Sequence, residues 1–323
     1  MNDIDLVIPM VFPADPEWQR EYAAATGRPK ATANVRYRSW DTEELLVKCC
    51  KKYMPWVRII HILLASESQV QPWMRTFLAE PSGRSISDRL LPQGRKKAER
   101  NMKHETLNIV FHRDFIPAEY RPCFSSPCIE MFLHLIPELS DRFIYANDDM
   151  FPLSPLEPTD FFTREGRPCM HVTEEPSPKC PNIFDRKCIY QQNMIGRVYN
   201  FHSIDTWLRT GHGFAPIMRS ACLEVWRRHW KEIQDNISPV KRTDHSWNHY
   251  IYMLLPYFAN WYCDHRPRTQ LIEWTTPTHD LPAIIADKDC GILCINDNDN
   301  ITDWQERATV VKTAIAEKLN SEH

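Results

Sequence analysis

The chain has 323 residues, a formal net charge of −3 at pH 7 and 43% hydrophobic residues, as expected for a water-soluble globular protein. It has only 8 glycines against 25 prolines and no glycine-rich loop that could cradle phosphates, which argues against a P-loop kinase and a Rossmann dehydrogenase. No basic run is long enough to suggest a nucleic-acid partner. No apolar run approaches the roughly 20 residues that span a bilayer.

Cysteine usage and the N-terminus predict the compartment. The 11 cysteines are an odd number without a CxxC pair, which is typical of reduced thiols. The first residues, Met1-Asn2-Asp3, lack the basic and apolar regions of a signal peptide. We therefore expect a cytoplasmic protein.

Strands and helices are predicted to alternate along the first half of the chain. Strands are expected at 5–11, 57–64, 107–111 and 142–146, and helices from Pro16 to a stop at Gly27, from an N-cap at Asp41 to Met54, and from Ser126. This alternation favours an α/β fold with a mostly parallel sheet flanked by helices. In such sheets ligands bind beyond the carboxyl ends of the strands.

The second half begins with a proline-rich segment. Prolines at 155, 158, 168, 176, 178 and 181 predict that 152–210 is an irregular insert that lines or covers the site, within a single catalytic domain of residues 1–323. Helices are expected from Pro216 to Asp235, from Ser246 to Leu255 and from a capping-box pattern at Thr302 onwards.

Two adjacent carboxylates follow the strand predicted at 142–146. Asp148 and Asp149, with Asn147 before them, would repel each other and would be costly to bury. A divalent cation removes that cost, and Mg²⁺ or Mn²⁺ held by one or two carboxylates plus substrate phosphates suits this pattern. A solvent-exposed Asn-Asp turn is the plainer alternative.

A second acidic segment, Cys294–Asn298, also follows an apolar stretch. Its Asp297 could complete the metal site from a distant part of the chain, although a turn before the last helix is the plainer interpretation. A zinc site built from Cys169, His171, Cys180 and Cys188 is not favoured, because the spacing fits no standard ligand pattern.

Three basic side chains are candidates for catalysis or phosphate binding. His212 lies between Gly211 and Gly213, where a neutral imidazole could act as a general base, although most of the 13 histidines must be structural or simply exposed. Arg38 and Arg242 lie in polar segments, and arginine suits diphosphate oxygens through bidentate hydrogen bonds. Surface ion pairs are the alternative for both.

Taken together, these segments resemble the Stealth family of capsule phosphotransferases, whose pattern has four ordered regions. The resembling segments are Ile4–Trp18 for region one; Arg36–Asp41, Met54–Arg58, Phe124–Ser126 and Phe143–Asp149 for region two; Gly211–His212, Glu224–Trp226 and Lys241–Thr243 for region three; and Cys294–Asn298 for region four. Region two is the most specific, because its order and spacing are hard to reach by chance. The animal relative of the family is the N-acetylglucosamine-phosphate transferase that tags lysosomal enzymes.

The resemblance implies a nucleotide-diphosphosugar transferase-like (GT-A-like) core, a UDP-sugar donor and a polysaccharide or lipid-linked glycan acceptor. It implies transfer of a sugar-1-phosphate to a glycan hydroxyl, with release of UMP, in capsule or exopolysaccharide synthesis. A metal-dependent glycosyltransferase that releases UDP and a non-catalytic glycan-binding relative are the alternatives. Because such acceptors are often lipid-linked, peripheral contact with the inner membrane face stays open.

The resemblance also assigns candidate site residues. The implied metal ligands are Asp148, Asp149 and Asp297, and the implied catalytic residues are His212, Asp149 and Arg242. The implied donor-binding residues are Arg38, Asp41, Ser125, Ser126, Asn147 and Asn296.

The chain departs from the family pattern at three places. Pro9–Pro13 replaces a first-region Thr-Trp-Val-Asp-Gly, so Phe12 stands where an acidic or amide group is expected. Ser39 stands where many relatives have Asp, and Ser126 where many have Asn. These changes bear on which donor base or sugar is accepted.

Overall fold

The computed structural model describes residues 3–28, 35–78, 107–211 and 213–321. The strands in these ranges are β1 (Ile4–Pro9), β2 (Ile60–Leu64), β3 (Leu107–Phe111), β4 (Arg142–Tyr145), β5 (Met150–Pro152), β6 (Thr173–Pro176), β7 (Thr206–Arg209), β8 (Ala215–Met218), β9 (Thr269–Ile272) and β10 (Ile292–Ile295). The helices are α1 (Pro16–Thr26), α2 (Glu43–Tyr53), α3 (Pro72–Leu78), α4 (His112–Phe115), α5 (Ser126–Met131), α6 (Ile183–Gly196), α7 (Arg219–Asn236), α8 (Tyr250–Phe258), α9 (Leu281–Ala286) and α10 (Trp304–Ser321).

The central sheet has the strand order β3-β2-β1-β4-β8. Its first four strands are parallel and β8 is antiparallel to β4, which confirms the predicted mostly parallel α/β sheet. The chain places β2 and β3 on one side of β1 and β4 on the other. This change of direction leaves a crevice at the carboxyl ends of β1 and β4, the position at which open α/β sheets bind ligands.

Both faces of the central sheet are covered, as expected for strands that are apolar on both sides. Ile4, Leu6 and Ile8 point to one face, where α2 and α10 pack. Val7 points to the other face, where α5, α7 and α8 pack. Successive side chains of a strand alternate between faces, so a single apolar strand contributes to two hydrophobic cores.

A second sheet, with the order β5-β10-β9, extends the crevice. Here β10 pairs antiparallel with β5 and parallel with β9. Because β5 begins directly after Asp149, this pairing brings the segment after β10 next to the segment after β4. Residues far apart in the sequence therefore meet at one end of the molecule.

Capping residues in the sequence predict where two of the helices begin or end. Helix α1 begins at Pro16 and ends at Gly27, whose φ of 68° closes the helix in the left-handed conformation, as predicted. The predicted N-cap of α2 is wrong by one residue: Thr42 occupies the cap position, whereas Asp41 is exposed with a φ of 52°.

The prediction of an irregular segment over 152–210 is wrong for its second half. The 14-residue helix α6 lies there, and Asn182 caps it by accepting hydrogen bonds from the backbone N–H groups of Phe184 (2.7 Å) and Asp185 (3.1 Å). The prolines end at Pro181, so nothing after it opposes a helix. The strands β6 and β7 also pair antiparallel within this segment.

The helix predicted from Pro216 begins later. Residues 215–218 form strand β8, and α7 starts at Arg219. Proline is tolerated here because β8 is an edge strand. Proline lacks a backbone N–H donor, and an edge strand can lack one without breaking the hydrogen-bond ladder of the sheet.

A buried ion cluster joins β1, β2 and β4. Asp5 is fully buried and accepts hydrogen bonds from Arg58 Nε (2.9 Å), Arg58 Nη2 (2.6 Å) and the backbone N–H of Ser140 (2.8 Å), with His61 Nε2 at 3.2 Å. Burial by itself raises the pKa of Asp5, but the hydrogen bonds from His61 and Arg58 outweigh burial, so the pKa is lowered.

Replacing Asp5 should therefore destabilise the protein in a pH-dependent way. The Asp5→Asn variant should lose about 3 kcal/mol of unfolding free energy at pH 7, because the half-buried Arg58 and the buried His61 lose their counter-ion. A lowered folded pKa stabilises above the unfolded pKa of about 3.9, and the contribution is lost as pH falls through the folded pKa. Urea titrations should show the gap between wild type and variant shrinking below about pH 4.

The exposed Asp3 offers a matched control next to the same strand. The Asp3→Asn variant should stay within about 0.5 kcal/mol of the wild type. An Asp5→Asn protein as stable as the wild type at pH 7 would contradict the assignment of this cluster.

Candidate active site

A cavity of about 160 Å³, referred to below as the acidic pocket, lies at the crevice beyond β1 and β4. Carboxyl groups dominate its polar lining, together with one guanidinium and two aromatic side chains. These lining residues are Glu43, Asp148, Asp149, Asp297, Arg38, Tyr37 and Trp40. The structure thus brings Arg38, Asp148, Asp149 and Asp297 together, from three separate segments of the chain.

The β5–β10 ladder places Asp297 near Asp149. The carbonyl oxygen of Asp149 accepts a hydrogen bond from the backbone N–H of Ile295 at 2.9 Å, directly beyond the pairing of Cys294 with Met150. Alternation along the strand then turns Ile295 and Asp297 toward the pocket. The charge of Asp297 acts on Asp149 and raises its pKa.

Arg38 and Asp297 form a bidentate ion pair in the pocket wall. Arg38 Nε donates to Asp297 Oδ2 at 2.7 Å, Arg38 Nη2 donates to Asp297 Oδ1, and Trp40 Nε1 donates to Asp297 Oδ2 at 2.9 Å. The guanidinium also lies 5.2 Å from the ring centre of Trp304 and donates to the carbonyl of Asn298 at 3.1 Å. Asp297 is therefore neutralised by the protein itself.

Asp148 and Asp149 lack comparable cationic neighbours within the described part of the pocket. Burial raises the pKa of Asp149 to about 7, and the charge of Asp297 adds to that rise. Burial raises the pKa of Asp148 well above its usual value, with the charges of Asp149 and Glu43 adding to it. The two carboxyl groups are thus held in an environment that disfavours their ionised forms.

The pocket suits a divalent cation supported by a ligand. Asp149 Oδ1 is buried and has no hydrogen-bond partner among the described residues, so it is oriented for an incoming cation. Across the described ranges, no three His, Cys, Asp or Glu side chains form a ready-made metal cluster, and Asp297 is already paired with Arg38. The fitting donor set is therefore Asp148 and Asp149, with the remaining ligands supplied by substrate phosphates or water.

Glu43 is a pocket residue that the sequence reasoning missed. It is 7% exposed, and its Oε1 accepts a hydrogen bond from Ser39 Oγ at 2.7 Å. Burial raises its pKa, and the charge of Asp41 adds to that rise. In the sequence, Glu43 reads as an ordinary acidic residue in the first turn of a helix, so no signal marked it as a site residue.

A second polar group lies beside the acidic pocket, around Tyr145 at the end of β4. Arg242 Nη2 donates to Ser126 Oγ at 2.8 Å, which brings these two predicted residues together. Burial raises the pKa of Tyr145; the charge of Asp148 raises it further, whereas that of Arg242 lowers it. Tyr145 therefore lies within electrostatic range of both the acidic pocket and Arg242.

Asn147 belongs to this second group through the same tyrosine. The Tyr145 hydroxyl donates to Asn147 Oδ1 at 3.0 Å and lies 3.3 Å from Glu130 Oε1. Glu130 also accepts from the backbone N–H (2.9 Å) and Nδ1 (2.8 Å) of His249. Burial raises the pKa of Glu130, but the interaction with His249 outweighs burial and lowers it to about 2.

Three further predicted site residues, Asp41, Asn296 and Ser125, are not among the lining residues of the acidic pocket. Asp41 is exposed and lies 3.5 Å from Lys312 Nζ, Asn296 lines a neighbouring cavity, and Ser125 is buried with no hydrogen-bond partner for its hydroxyl among the described residues. His212, the predicted general base, lies outside the described residues. Its neighbour Gly211 has a φ of 73° and lines the same cavity as Asn296.

The described helices include none with the length and apolar character that crossing a membrane requires.

Fold and pocket define an α/β protein with a buried acidic site at the carboxyl ends of its strands. Residues 93–170 match the family model described as Stealth protein CR2, conserved region 2. This match contains β4, Asp148 and Asp149, whereas the predicted start of region two at Arg36 lies outside it. The match therefore assigns residues 93–170 a similarity to the second conserved region of the Stealth family, in line with the resemblance of the sequence segments.

Similar proteins agree with this assignment. The chain is 29% identical to a capsular polysaccharide phosphotransferase of Actinobacillus suis over 261 residues, which cover 76% of this chain and 62% of that protein. It is 29% identical to the receptor polysaccharide phosphotransferase WefC of Streptococcus oralis over 221 residues, which cover 67% of this chain and 57% of that protein. The chain thus spans about three fifths of the length of these curated relatives.

One solved structure is also similar in outline. The galactosyltransferase LgtC, crystallised with donor and acceptor sugar analogs, aligns with 96% of this chain and 95% of its own length. The sequence identity is 13% and the TM-score is 0.36.

Removing one carboxylate from the acidic pocket should stabilise the ligand-free protein. In buffer with EDTA at pH 8, the Asp149→Asn variant should gain about 1 to 2 kcal/mol of unfolding free energy, because it removes a buried charge that repels its neighbours. Thermal unfolding followed by circular dichroism measures this. The exposed Asp299, in the same loop as Asp297, provides the control variant Asp299→Asn. A clear loss of stability in Asp149→Asn would show that this carboxylate is compensated.

Proposed function

We propose that this protein transfers a sugar-1-phosphate from a UDP-sugar to a hydroxyl of a glycan acceptor and releases UMP. The observation that carries the proposal is the acidic pocket, whose half-buried carboxylates Asp148 and Asp149 lie within the matched Stealth region. Relatives named capsular and receptor polysaccharide phosphotransferases support the reaction class. Capsule or exopolysaccharide synthesis is the process in which we place it.

The acidic pocket explains why a metal-bound diphosphate is the proposed ligand. Two adjacent, half-buried carboxylates with raised pKa values favour a positively charged partner over a neutral sugar alone. When bound, Mg²⁺ or Mn²⁺ would supply positive charge beside the diphosphate, held by Asp148 and Asp149. Asp297 keeps a structural role in this account, because Arg38 and Trp40 already occupy its oxygens.

The basic residues complete the proposed assignment. Arg242, which donates a hydrogen bond to Ser126 and acts electrostatically on Tyr145, would contact the phosphate oxygens of the donor. Arg38 orients Asp297 and closes the pocket wall, so its contribution to donor binding is to position the acidic group. His212 remains the proposed general base.

The proposed reaction is a displacement at phosphorus. The acceptor oxygen forms a bond to the β-phosphorus of the UDP-sugar, and the bond from that phosphorus to the bridging oxygen breaks. UMP leaves with the bridging oxygen, the acceptor proton passes to His212, and the sugar-1-phosphate becomes a phosphodiester on the acceptor. A glycosyltransferase would instead break the bond at the anomeric carbon and release UDP.

The released nucleotide tests this proposal. Incubation of the protein with a panel of UDP-sugars, oligosaccharide acceptors and Mg²⁺ or Mn²⁺, read by mass spectrometry, should yield UMP and no UDP. EDTA should abolish turnover, and Asp149→Asn should lower it by about 10²-fold or more, because the developing charge on the phosphate loses its support. Asp299→Asn serves as the matched control and should keep wild-type turnover.

The alternatives have distinct outcomes in the same assay. Release of UDP would replace the proposal with glycosyl transfer. Failure of calorimetry to detect binding of any UDP-sugar in the presence of either metal would favour a non-catalytic glycan-binding protein.

The general base can be tested separately. His212→Ala should lower kcat by about 10² to 10⁴, because a positioned base contributes a factor of that size. His202 is an exposed histidine that lies close in sequence, so His202→Ala is the matched control and should retain full turnover. A His212→Ala enzyme with near-normal kcat and an unchanged pH profile would exclude the imidazole from proton transfer.

A further inference from the structure

A second, larger cavity lies beside the acidic pocket. Its volume is about 400 Å³, within the usual range for a small-ligand site. Helices α6 and α8, strand β7 and the ends of β9 and β10 form its walls. We call it the aromatic cavity, and its principal lining residues are Phe184, Trp207, Arg209, Tyr250, Glu273 and Asn296.

The two cavities share the end of β10 as a wall. Ile295 and Asp297 face the acidic pocket, whereas Asn296 between them faces the aromatic cavity. Just beyond β10, the backbone N–H of Asn296 donates to the carbonyl of Ile272 at 2.9 Å, and the N–H of Asp297 donates to the carbonyl of Ile295 at 3.0 Å in a tight turn. A ligand in the aromatic cavity is therefore separated by this shared backbone segment from the pocket that contains the carboxylates.

The lining is suited to an uncharged, amphipathic ligand. Three aromatic rings contribute to the apolar surface, together with leucines: the ring of Phe184 lies 6.5 Å from that of Trp207 and 6.0 Å from that of Tyr250, edge to face in both cases. Amides and one carboxylate, from Asn182, Asn296 and Glu273, add acceptors and donors. Sugar rings have apolar C–H faces and hydroxyl edges, which match aromatic surfaces bordered by such groups.

The charges in the aromatic cavity disfavour a phosphate there. Arg209 is its only arginine or lysine among the described lining residues; it lies over the Trp207 ring at 5.9 Å and pairs with Glu175 at 3.6 Å. Glu273 would repel an anion. The acidic pocket and the aromatic cavity thus differ in the chemistry of their ligands, one suited to a cation with a diphosphate and the other to a neutral ring.

We propose that the aromatic cavity binds a neutral sugar residue of the glycan acceptor and presents one of its hydroxyls to the acidic pocket. This inference rests on the proposed function and adds the acceptor subsite to it. Phe184 and Trp207 would pack against the ring, and Glu273 and Asn296 would accept from or donate to its hydroxyls.

Phe184 allows a test with a matched control on the same helix. Phe184 is 40% exposed and lines the cavity, whereas its neighbour Ile183 is 38% exposed and does not. Saturation-transfer NMR with lactose, cellobiose and N,N′-diacetylchitobiose would measure binding without any need for catalysis. The wild type and Ile183→Ala should bind at least one of them equally, and Phe184→Ala should bind it about 10-fold more weakly.

A second variant guards against an indirect effect of the Phe184 change on folding. Glu273→Gln keeps the size of the side chain and removes its charge, and it should weaken the same disaccharide about 5-fold or more, since a charged acceptor becomes a neutral amide. In the nucleotide-release assay, both variants should raise KM for the acceptor while KM for the UDP-sugar changes less than about 2-fold.

The outcomes separate the subsite from the proposed function. Disaccharide binding that is weakened in Phe184→Ala and Glu273→Gln would support the subsite even if the wild type released no UMP from any donor. Binding that is equal in all variants, or absent in the wild type for the whole panel, would overturn the subsite even if UMP release were observed.

Discussion

The antiparallel pairing of β10 with β5 is the constraint on which the site depends. It sets the carbonyl of Asp149 2.9 Å from the backbone N–H of Ile295 and thereby brings Asp297 to the carboxylates that follow β4. Four carboxyl groups and a single guanidinium then line one small cavity. Without the ladder, the acidic segments after β4 and β10 would have no reason to meet, because more than a hundred residues separate them.

Within this cavity the protein neutralises the charge of Asp297 but not, among the described residues, the charges of Asp148 and Asp149. Asp297 receives both an arginine fork and an indole N–H, which fixes its position. Asp148 and Asp149 are half-buried with raised pKa values, and one buried oxygen of Asp149 lacks a partner in the described part of the chain. Such uncompensated burial costs stability, and proteins retain it mainly where a ligand supplies the missing charge.

The sequence was informative where the signals are local or where an apolar strand ends in polar residues. Strand β4 followed by Asn147-Asp148-Asp149, and the helix between Pro16 and Gly27, could be predicted from spacing and from proline and glycine chemistry. The partner of Arg38 could not, because Arg38 and Asp297 are 259 residues apart and only the folded β10 joins them. Glu43 was missed for a similar reason, since an acidic first helical turn is common.

The aromatic cavity shows the same limit. Its lining comes from five separate elements, and each contributes residues that look like ordinary core or surface positions in the sequence. Asn296 was predicted to bind the donor with Asp297, yet these neighbours, just beyond β10, line different cavities. Two adjacent residues thereby serve two chemically different surfaces, and only strand geometry reveals this.

The most direct test of the central claim is a titration of Mn²⁺ followed by electron paramagnetic resonance, with and without UDP. If Asp148 and Asp149 hold a cation together with a diphosphate, the signal of free Mn²⁺ should fall at much lower protein concentration when UDP is present, and Asp149→Asn should abolish this effect. A free-ion signal that UDP leaves unchanged, or that falls equally in Asp149→Asn, would contradict the account.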